Sequence, residues 1–396
     1  MKRIDFNKII FVAIFVIIIA GLFSVPVMKS VYGALRQFAG SGDFIMFTDE
    51  IDEASKKMTY KEKLIDLNSI VGRLTGVRKI EKDDENVLRL ENDYLYYERK
   101  KISDELVNQA ADSCIALKNK SEEQGSYFTY VYVPEKAYFD NKTHIEYKNS
   151  VDGFLEKLDN GGVRILNIAE KLKEQGKSME DAYYITDHHW KAETGFWATG
   201  LICEELKQNA GFTYDENFMS LENYDVKTYE DWFLGSQGKK VGRYFTSLGF
   251  DDFTLITPKF KTDLSVTYRG ENRKGEFKES VLNLNHLNTK DHYNKNCYAT
   301  YSDGDFPEQI IENNLSTDDG KKILVIRDSA ACCVTPYLSL AAKTTRIIDI
   351  RNMHCGQKGY VESVYNYIEE FKPDYVIVIY MGLNIGERNA SKYNFK

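Results

Sequence analysis

The sequence predicts an α/β protein built on a parallel sheet with helices on both faces. Two observations carry this. Five short apolar or β-branched runs of strand length recur at 127–133, 163–168, 323–326, 346–350 and 375–380. Helical patterns lie between most of them and are long enough to cross from one parallel strand to the next. A third observation places the domain in the cell. Residues 9–28 carry no charge and are mostly Ile, Val, Phe, Ala and Leu.

Taken in order, residues 1–8 read as a cytoplasmic tail. Lys2, Arg3 and Lys8 precede the apolar run, and basic flanks stay inside. Twenty residues at helical rise span about 30 Å, the thickness of the hydrocarbon core. The run therefore reads as a single-pass transmembrane anchor, with the rest of the chain extracytoplasmic. A cleaved signal peptide, which would release the protein, is the alternative. Its apolar stretch is shorter, about 7–15 residues, and ends in a small-x-small site. Phe23, Val25 and Pro26 do not supply one.

Residues 29–86 form a stalk or linker. Within it, 58–76 predicts a helix with Leu64, Ile65, Leu67, Ile70, Val71 and Leu74 on one side. The main domain spans 87–396. Residues 102–120 space Leu106, Ala110, Cys114 and Leu117 at helical intervals. Helical patterns follow at 151–158 and 169–175. A short extended run, 183–185, leads into the helix 192–208, which aligns Phe196, Thr199, Cys203 and Leu206 on one face. Residues 212–313 break the alternation and read as an insert of short strands and loops lying over the sheet.

Composition excludes several classes. The 396 residues are 43% hydrophobic and 28% charged, with a net charge of −8. That is no disordered chain, collagen or disulfide miniprotein. The acidic balance, with no basic stripe, argues against nucleic acid. The six cysteines form no C-x-x-C pair, so no zinc ribbon is implied. A buried free thiol suits Cys203.

Two short segments carry chemistry. The first is Thr186-Asp187-His188-His189-Trp190. Asp-x-His spacing lets a carboxylate orient the second imidazole and stabilise its cation. A helix N-cap followed by incidental histidines is the competing reading. The second is Arg327-Asp328-Ser329-Ala330-Ala331, which ends an apolar strand and starts an apolar helix. A serine at such a turn presents its hydroxyl above the sheet, and the first amides of the helix can receive an oxyanion. A plain Asp or Ser cap competes here too. The two segments explain each other, because a hydroxyl nucleophile needs a base and the base needs an orienter. That requires Ser329 Oγ within about 3 Å of His189.

Asp187-His188-His189-Trp190 resembles the name-giving motif of the bacterial DHHW family, which is related to the SGNH-hydrolase-like domains of the alginate acetylation proteins AlgJ and AlgX. Asp328-Ser329 is similar to the Asp-Ser block of the SGNH class, in the reversed order typical of this branch. Val133-Pro134-Glu135-Lys136, Gly235-Ser236-Gln237-Gly238-Lys239 and the strand leading to Asn384 extend the resemblance over residues 87–396. It implies a flavodoxin-like three-layer fold with a mixed insertion. It also implies Ser329 as nucleophile, His189 as general base and Asp187 as orienter, with His188 outside the triad. Trp190 would pack against the motif. Asn384, Trp190 and Asp328 are the candidates for substrate or oxyanion contacts. Arg327 departs from the class, where glycine is common, and no Gly-x-Asn block is found.

The weaker candidates are His354 near Asp349 and Asn352, Lys136 as a contact for an anionic substrate, and Cys332 and Cys333 as packing residues. His286, Asp291 and His292 match no standard metal set. No metal or cofactor is expected. The resemblance implies an extracytoplasmic serine esterase or O-acetyltransferase acting on a cell-surface polysaccharide, with a membrane-embedded partner donating the acyl group. A non-catalytic polysaccharide-binding scaffold is the alternative. A DHH-type metallophosphoesterase shares only three letters and would need further aspartates.

Overall fold

A computed structural model describes residues 61–82, 85–140, 142–268, 270–316, 320–350, 363–386 and 393–396, together with Tyr32 and Arg36. The chain divides into two compact units, Met1–Val77 and Arg78–Lys396. In the first, helix α1 covers Lys61–Leu74, inside the predicted 58–76. The apolar run 9–28 lies outside the described residues. Among the described residues, no helix is long and apolar enough to cross a membrane.

The second unit opens with a small antiparallel sheet of β1 (Lys79–Ile80), β2 (Val87–Arg89) and β3 (Leu95–Tyr97). Helix α2 (Asp104–Glu123) follows. It is capped by Ser103, whose hydroxyl accepts from the Leu106 amide, with Asp104 and Glu105 in the first turn, as the helix dipole favours. Then come β4 (Tyr127–Val133), α3 (Ile145–Asn160), β5 (Ile165–Asn167) and α4 (Ala192–Ala210). Gly211, at φ 65°, closes α4 in the left-handed conformation, which glycine adopts without strain.

A hairpin of β6 (Tyr224–Phe233) and β7 (Asp251–Pro258) precedes β8 (Leu264–Tyr268), β9 (Glu271–Gly275) and β10 (Glu308–Asn313). The chain ends with β11 (Lys322–Arg327), α5 (Thr335–Ala341), β12 (Thr344–Ile348), α6 (Val364–Phe371) and β13 (Tyr375–Met381).

The main sheet has eight strands in the order β5-β4-β13-β11-β12-β10-β8-β9. The first five are parallel and the last three join antiparallel. The central strand β11 is buried on both faces. Ile323 and Val325 pack into one core with Phe196, Ile202 and Leu206 of α4. Leu324 and Ile326 pack into the other with Val107, Val151 and Tyr367 of α2, α3 and α6. That two-sided burial is why the strand reads as a continuous apolar run.

Two expectations change. The 212–313 segment does more than lie over the sheet, because β8, β9 and β10 extend it. Leu264, Val266 and Tyr268 of β8 alternate buried with partly or fully exposed neighbours, the pattern of a strand with one covered face. The run 183–185 is no strand of the sheet either. Tyr183 forms only an isolated antiparallel bridge with Trp190, so the Asp-His segment is a closed loop beside the sheet. The described cysteines Cys114, Cys203, Cys297, Cys332 and Cys333 are buried, and no disulfide joins any two of them.

Candidate active site

The nucleophile candidate follows a central strand of the main sheet. Strand β11 ends at Arg327, and a 3-10 turn, Ser329–Cys333, starts at its carboxyl edge. Asp328 caps the turn. Its Oδ1 accepts from Ala330 N at 2.9 Å, and its Oδ2 accepts from Met381 N at 2.8 Å and from Asn384 Nδ2 at 2.5 Å. Arg327 is fully buried. Its guanidinium donates to Asp305 Oδ1 at 2.8 Å and to Gly304 O at 2.9 Å. Those partners stabilise an arginine where the resembled class commonly has glycine.

The base candidate comes from the loop closed by Tyr183 and Trp190. His189 Nε2 lies 2.8 Å from Ser329 Oγ, and His189 Nδ1 lies 2.5 Å from Asp187 Oδ1. Asp187 Oδ1 also accepts from His189 N at 3.0 Å, and Asp187 Oδ2 from Ser236 N at 2.6 Å. Burial alone would raise the Asp187 carboxyl. Its electrostatic interaction with the His189 and His188 imidazoles, with hydrogen bonds from His189 and the Ser236 amide, holds it well below the usual carboxylate range. The carboxylate therefore stays ionised and fixes the Nδ1–H tautomer, leaving Nε2 to face the hydroxyl. Ser329 is 9% exposed and His189 7%, so both groups lie in a largely desolvated setting.

Further residues complete the arrangement. The Tyr298 ring stacks on His189 at 4.0 Å with 9° between planes. The Tyr298 hydroxyl and Trp190 Nε1 both donate to Ala330 O at 2.9 Å, tying the base loop to the serine turn. Trp190 is thus a buried strut. His188 turns aside, with Nδ1 at 2.9 Å from Ser236 Oγ. Burial and the neighbouring His189 push it down to about 3, so it is neutral near pH 7.

Three sequence-based expectations are corrected. Ala330 N donates to Asp328 Oδ1 and Ala331 N to Asp328 O at 3.2 Å, so these two first-turn amides serve the cap instead of waiting for an oxyanion. Asn384 Nδ2 likewise serves Asp328, which makes both residues supports of the turn. Lys136 is 2% exposed and donates to the carbonyls of Tyr184 and Ile185, so it holds the loop and is not presented to a substrate. His286 pairs with Asp303 while His292 meets Asp231 O. Among the described residues, only Asp187, His188 and His189 group as three metal-type donors, and Asp187 Oδ1 and His189 Nδ1 already bond each other. His354 and Asn352 lie outside the described residues.

Sequence reasoning missed Tyr298 and Asp251, single residues that carry no motif. It also gave the Gly235–Ser236 pair no role. Gly235 N donates to Thr186 Oγ1 at 2.8 Å, and a Cβ at Gly235 would collide with the Asp187 backbone. Only glycine allows that approach. A cavity of about 600 Å³ lies elsewhere, lined by Arg78, Arg89, Tyr96, Phe139 and Glu180 among others, and does not include Ser329 or His189.

The fold is an SGNH-like α/β fold with a mixed sheet. The family of the SGNH hydrolase-like domain of acetyltransferase AlgX matches residues 89–223. That stretch contains Asp187 and His189 and ends before Ser329. Among solved structures, Bacillus cereus PatB1 with a sulfonyl adduct superposes with a TM-score of 0.63 at 21% identity, covering 80% of this chain and 100% of that one. A DHHW family protein from Eubacterium siraeum gives a TM-score of 0.56 at 16% identity, covering 80% and 96%. No curated protein matches the chain.

Proposed function

We propose that this chain is an SGNH-like serine O-acetyltransferase that also has an esterase half-reaction. Ser329 Oγ attacks an acetyl ester carbonyl while its proton passes to His189 Nε2. The imidazolium is stabilised by Asp187. The ester C–O bond breaks, the leaving oxygen takes the proton from His189, and an acetyl-serine remains. A sugar hydroxyl, or water, then gives its proton to His189 and attacks that ester; the acyl–Oγ bond breaks, Ser329 Oγ takes the proton back from His189, and the acetylated sugar, or acetate, leaves. The observation that carries this reading is the hydrogen-bond line Asp187–His189–Ser329, at 2.5 and 2.8 Å. The similarity of residues 89–223 to the AlgX acetyltransferase domain supports transfer as the reaction type.

In the same reading, residues 9–28 anchor the protein, the domain faces outward, and the acceptor is a cell-surface polysaccharide. Acetyl-CoA is cytoplasmic, so a membrane-embedded partner would deliver the acyl group. Labelling with a fluorophosphonate or sulfonyl fluoride tests the core of the proposal. The wild type should label at Ser329, and Ser329→Ala and His189→Ala should not. A correctly folded wild type that neither labels nor turns over an acetyl ester would leave the polysaccharide-binding scaffold as the better account.

A further inference from the structure

The loop that carries the base has no ladder of its own beyond the Tyr183–Trp190 bridge. Two buried ionisable side chains hold it, beside the amides of Leu95 and Gly238, which donate to Ile185 O and Thr186 O at 2.9 Å. Lys136 follows β4. Its Nζ donates to Tyr184 O at 3.0 Å, Ile185 O at 3.2 Å and Gln237 Oε1 at 3.0 Å. An ammonium has three donors, and all three are engaged. Asp251 begins β7. Its Oδ1 accepts from Ile185 N at 2.5 Å, and its Oδ2 from Thr186 N at 2.8 Å and Thr186 Oγ1 at 2.5 Å. A cation thus grips the carbonyls and an anion the amides of three successive residues, and the next residue is Asp187.

Burying a lysine and an aspartate is an expensive way to pack a loop, and apolar residues would do it more cheaply. What charges add is direction, since each bond fixes one backbone group. We propose that Lys136 and Asp251 are positioning residues for acyl transfer, holding the backbone of Tyr184–Thr186 so that Asp187 and His189 stay in line with Ser329. The inference rests on the reading of His189 as the base. The surroundings agree. Burial pushes Lys136 down to about 7 against the pull of Asp251 and Asp187, and pushes Asp251 up to about 6 against its hydrogen bonds and Lys136. Each charge therefore helps keep the other ionised. The Tyr94 ring, 5.8 Å from Lys136 Nζ, also faces the pair.

The test compares Lys136→Met, Asp251→Asn and the double variant in the full chain. Single variants leave one buried charge without its partner and can lose the fold, whereas the double variant leaves none. Three readouts apply: turnover of p-nitrophenyl acetate, fluorophosphonate labelling rate, and the downfield NMR resonance of the His189 Nδ1 proton shared with Asp187. In folded double variant, kcat and labelling should fall by about 10²-fold, the scale of a 1 Å misplacement. KM should stay within about twofold, and the downfield proton should shift or broaden. Ser329→Ala should lose turnover and keep that proton. A folded double variant with wild-type turnover and an unmoved proton overturns the inference. So does a loss of turnover that only tracks the unfolded fraction. If the wild type itself neither labels nor turns over, the acyl-transfer reading fails separately, and the proton resonance alone still decides whether this pair orients Asp187 and His189.

Discussion

Ser329 and His189 approach each other from two differently built regions. The serine turn grows out of the central strand of the sheet. Its backbone is capped from within by Asp328, which the end of the adjacent strand holds through Met381 and Asn384, and Tyr298 and Trp190 reach only Ala330 O. The base loop lies off the sheet. Its support comes from several separate segments, from Lys136 after β4, from Gly235 and Ser236 after β6, and from Asp251 at the start of β7. A nucleophile can be placed by a strand end alone. A base held only by a loop needs side chains from elsewhere to fix it. The base loop is therefore the more breakable half of the site, and distant substitutions should act through it.

The largest effects fall on the reacting groups themselves. Ser329→Ala and His189→Ala should each lower ester turnover by at least about 10³-fold. Melting temperature should change little in Ser329→Ala, which removes one side-chain hydrogen bond at the line's end, and should fall in His189→Ala, which also loses the bond to Asp187 and the stack on Tyr298. Steady-state kinetics alongside thermal melts checks this. Equal turnover in His189→Ala and wild type would remove the base loop from the chemistry and end the comparison.

Gly235→Ala separates the two regions next. A Cβ there would overlap Asp187 Cβ, Cα and N, so the loop must shift while the serine turn stays. The expected result is a fall in kcat of about 10²-fold with a destabilisation of about 1–3 kcal/mol. Gly195→Ala is its counterpart on the other side. A Cβ at Gly195, in α4, would overlap Cys333 of the serine turn. If Gly235→Ala leaves kcat unchanged at full folding, the base loop is more tolerant than its packing indicates.

What the sequence made legible follows the same division. Strands β4, β11 and β13 announce themselves because burial on both faces demands unbroken apolar runs. Helices α2 and α4 show because one face must be apolar at helical spacing. The pairing of Ser329 with Asp187-x-His189 was expected from chemical complementarity, and the structure puts the serine and histidine 2.8 Å apart. The rest depends on contacts between remote segments. Strands β8 and β10 carry partly polar alternation that does not reveal which edge they join. Tyr298 is one tyrosine of 27, singled out only by lying under His189. Lys136 reads as a cation for a substrate until its three acceptors are seen. The role of Asn384 likewise turns on which carboxylate its amide meets.

Trp190 bridges the regions and should matter less to turnover. Trp190→Phe removes the indole donor to Ala330 O, but the Tyr298 hydroxyl still donates to the same oxygen. The acceptor stays satisfied, so a loss of about 1 kcal/mol is expected from the missing bond, with kcat within about threefold of wild type. Denaturant unfolding and ester kinetics check it. A kcat loss as large as that of Gly235→Ala would mean that the strut, and not the remote clamp, sets the base.

The base loop also carries a pH signature that the serine turn lacks. Asp251 is raised by burial to about 6, above the usual value of about 3.9. Between those values the folded state holds more protons than the unfolded one, so stability falls as pH rises through that window. Lys136 is lowered by burial to about 7, below about 10.4. There the unfolded state holds more protons, so stability rises with pH between those values. The pair thus weakens the fold most between about pH 6 and 7, where both side chains are charged and grip the loop best. His188, lowered to about 3, adds an opposite slope between about pH 3 and 6.5 in both proteins. The test is therefore the difference in melting temperature, wild type minus the Lys136→Met, Asp251→Asn double variant, which from pH 4 to 10 should be least between about pH 6 and 7. Asp187 lies outside this window. Its lowered carboxyl adds stability that is fully present above about pH 3.9 and fades only as pH falls further, so it cannot mimic that minimum. Superimposable profiles for the two proteins would mean that the pair binds the same number of protons folded and unfolded across this range, which would rule out the raised Asp251 and the lowered Lys136.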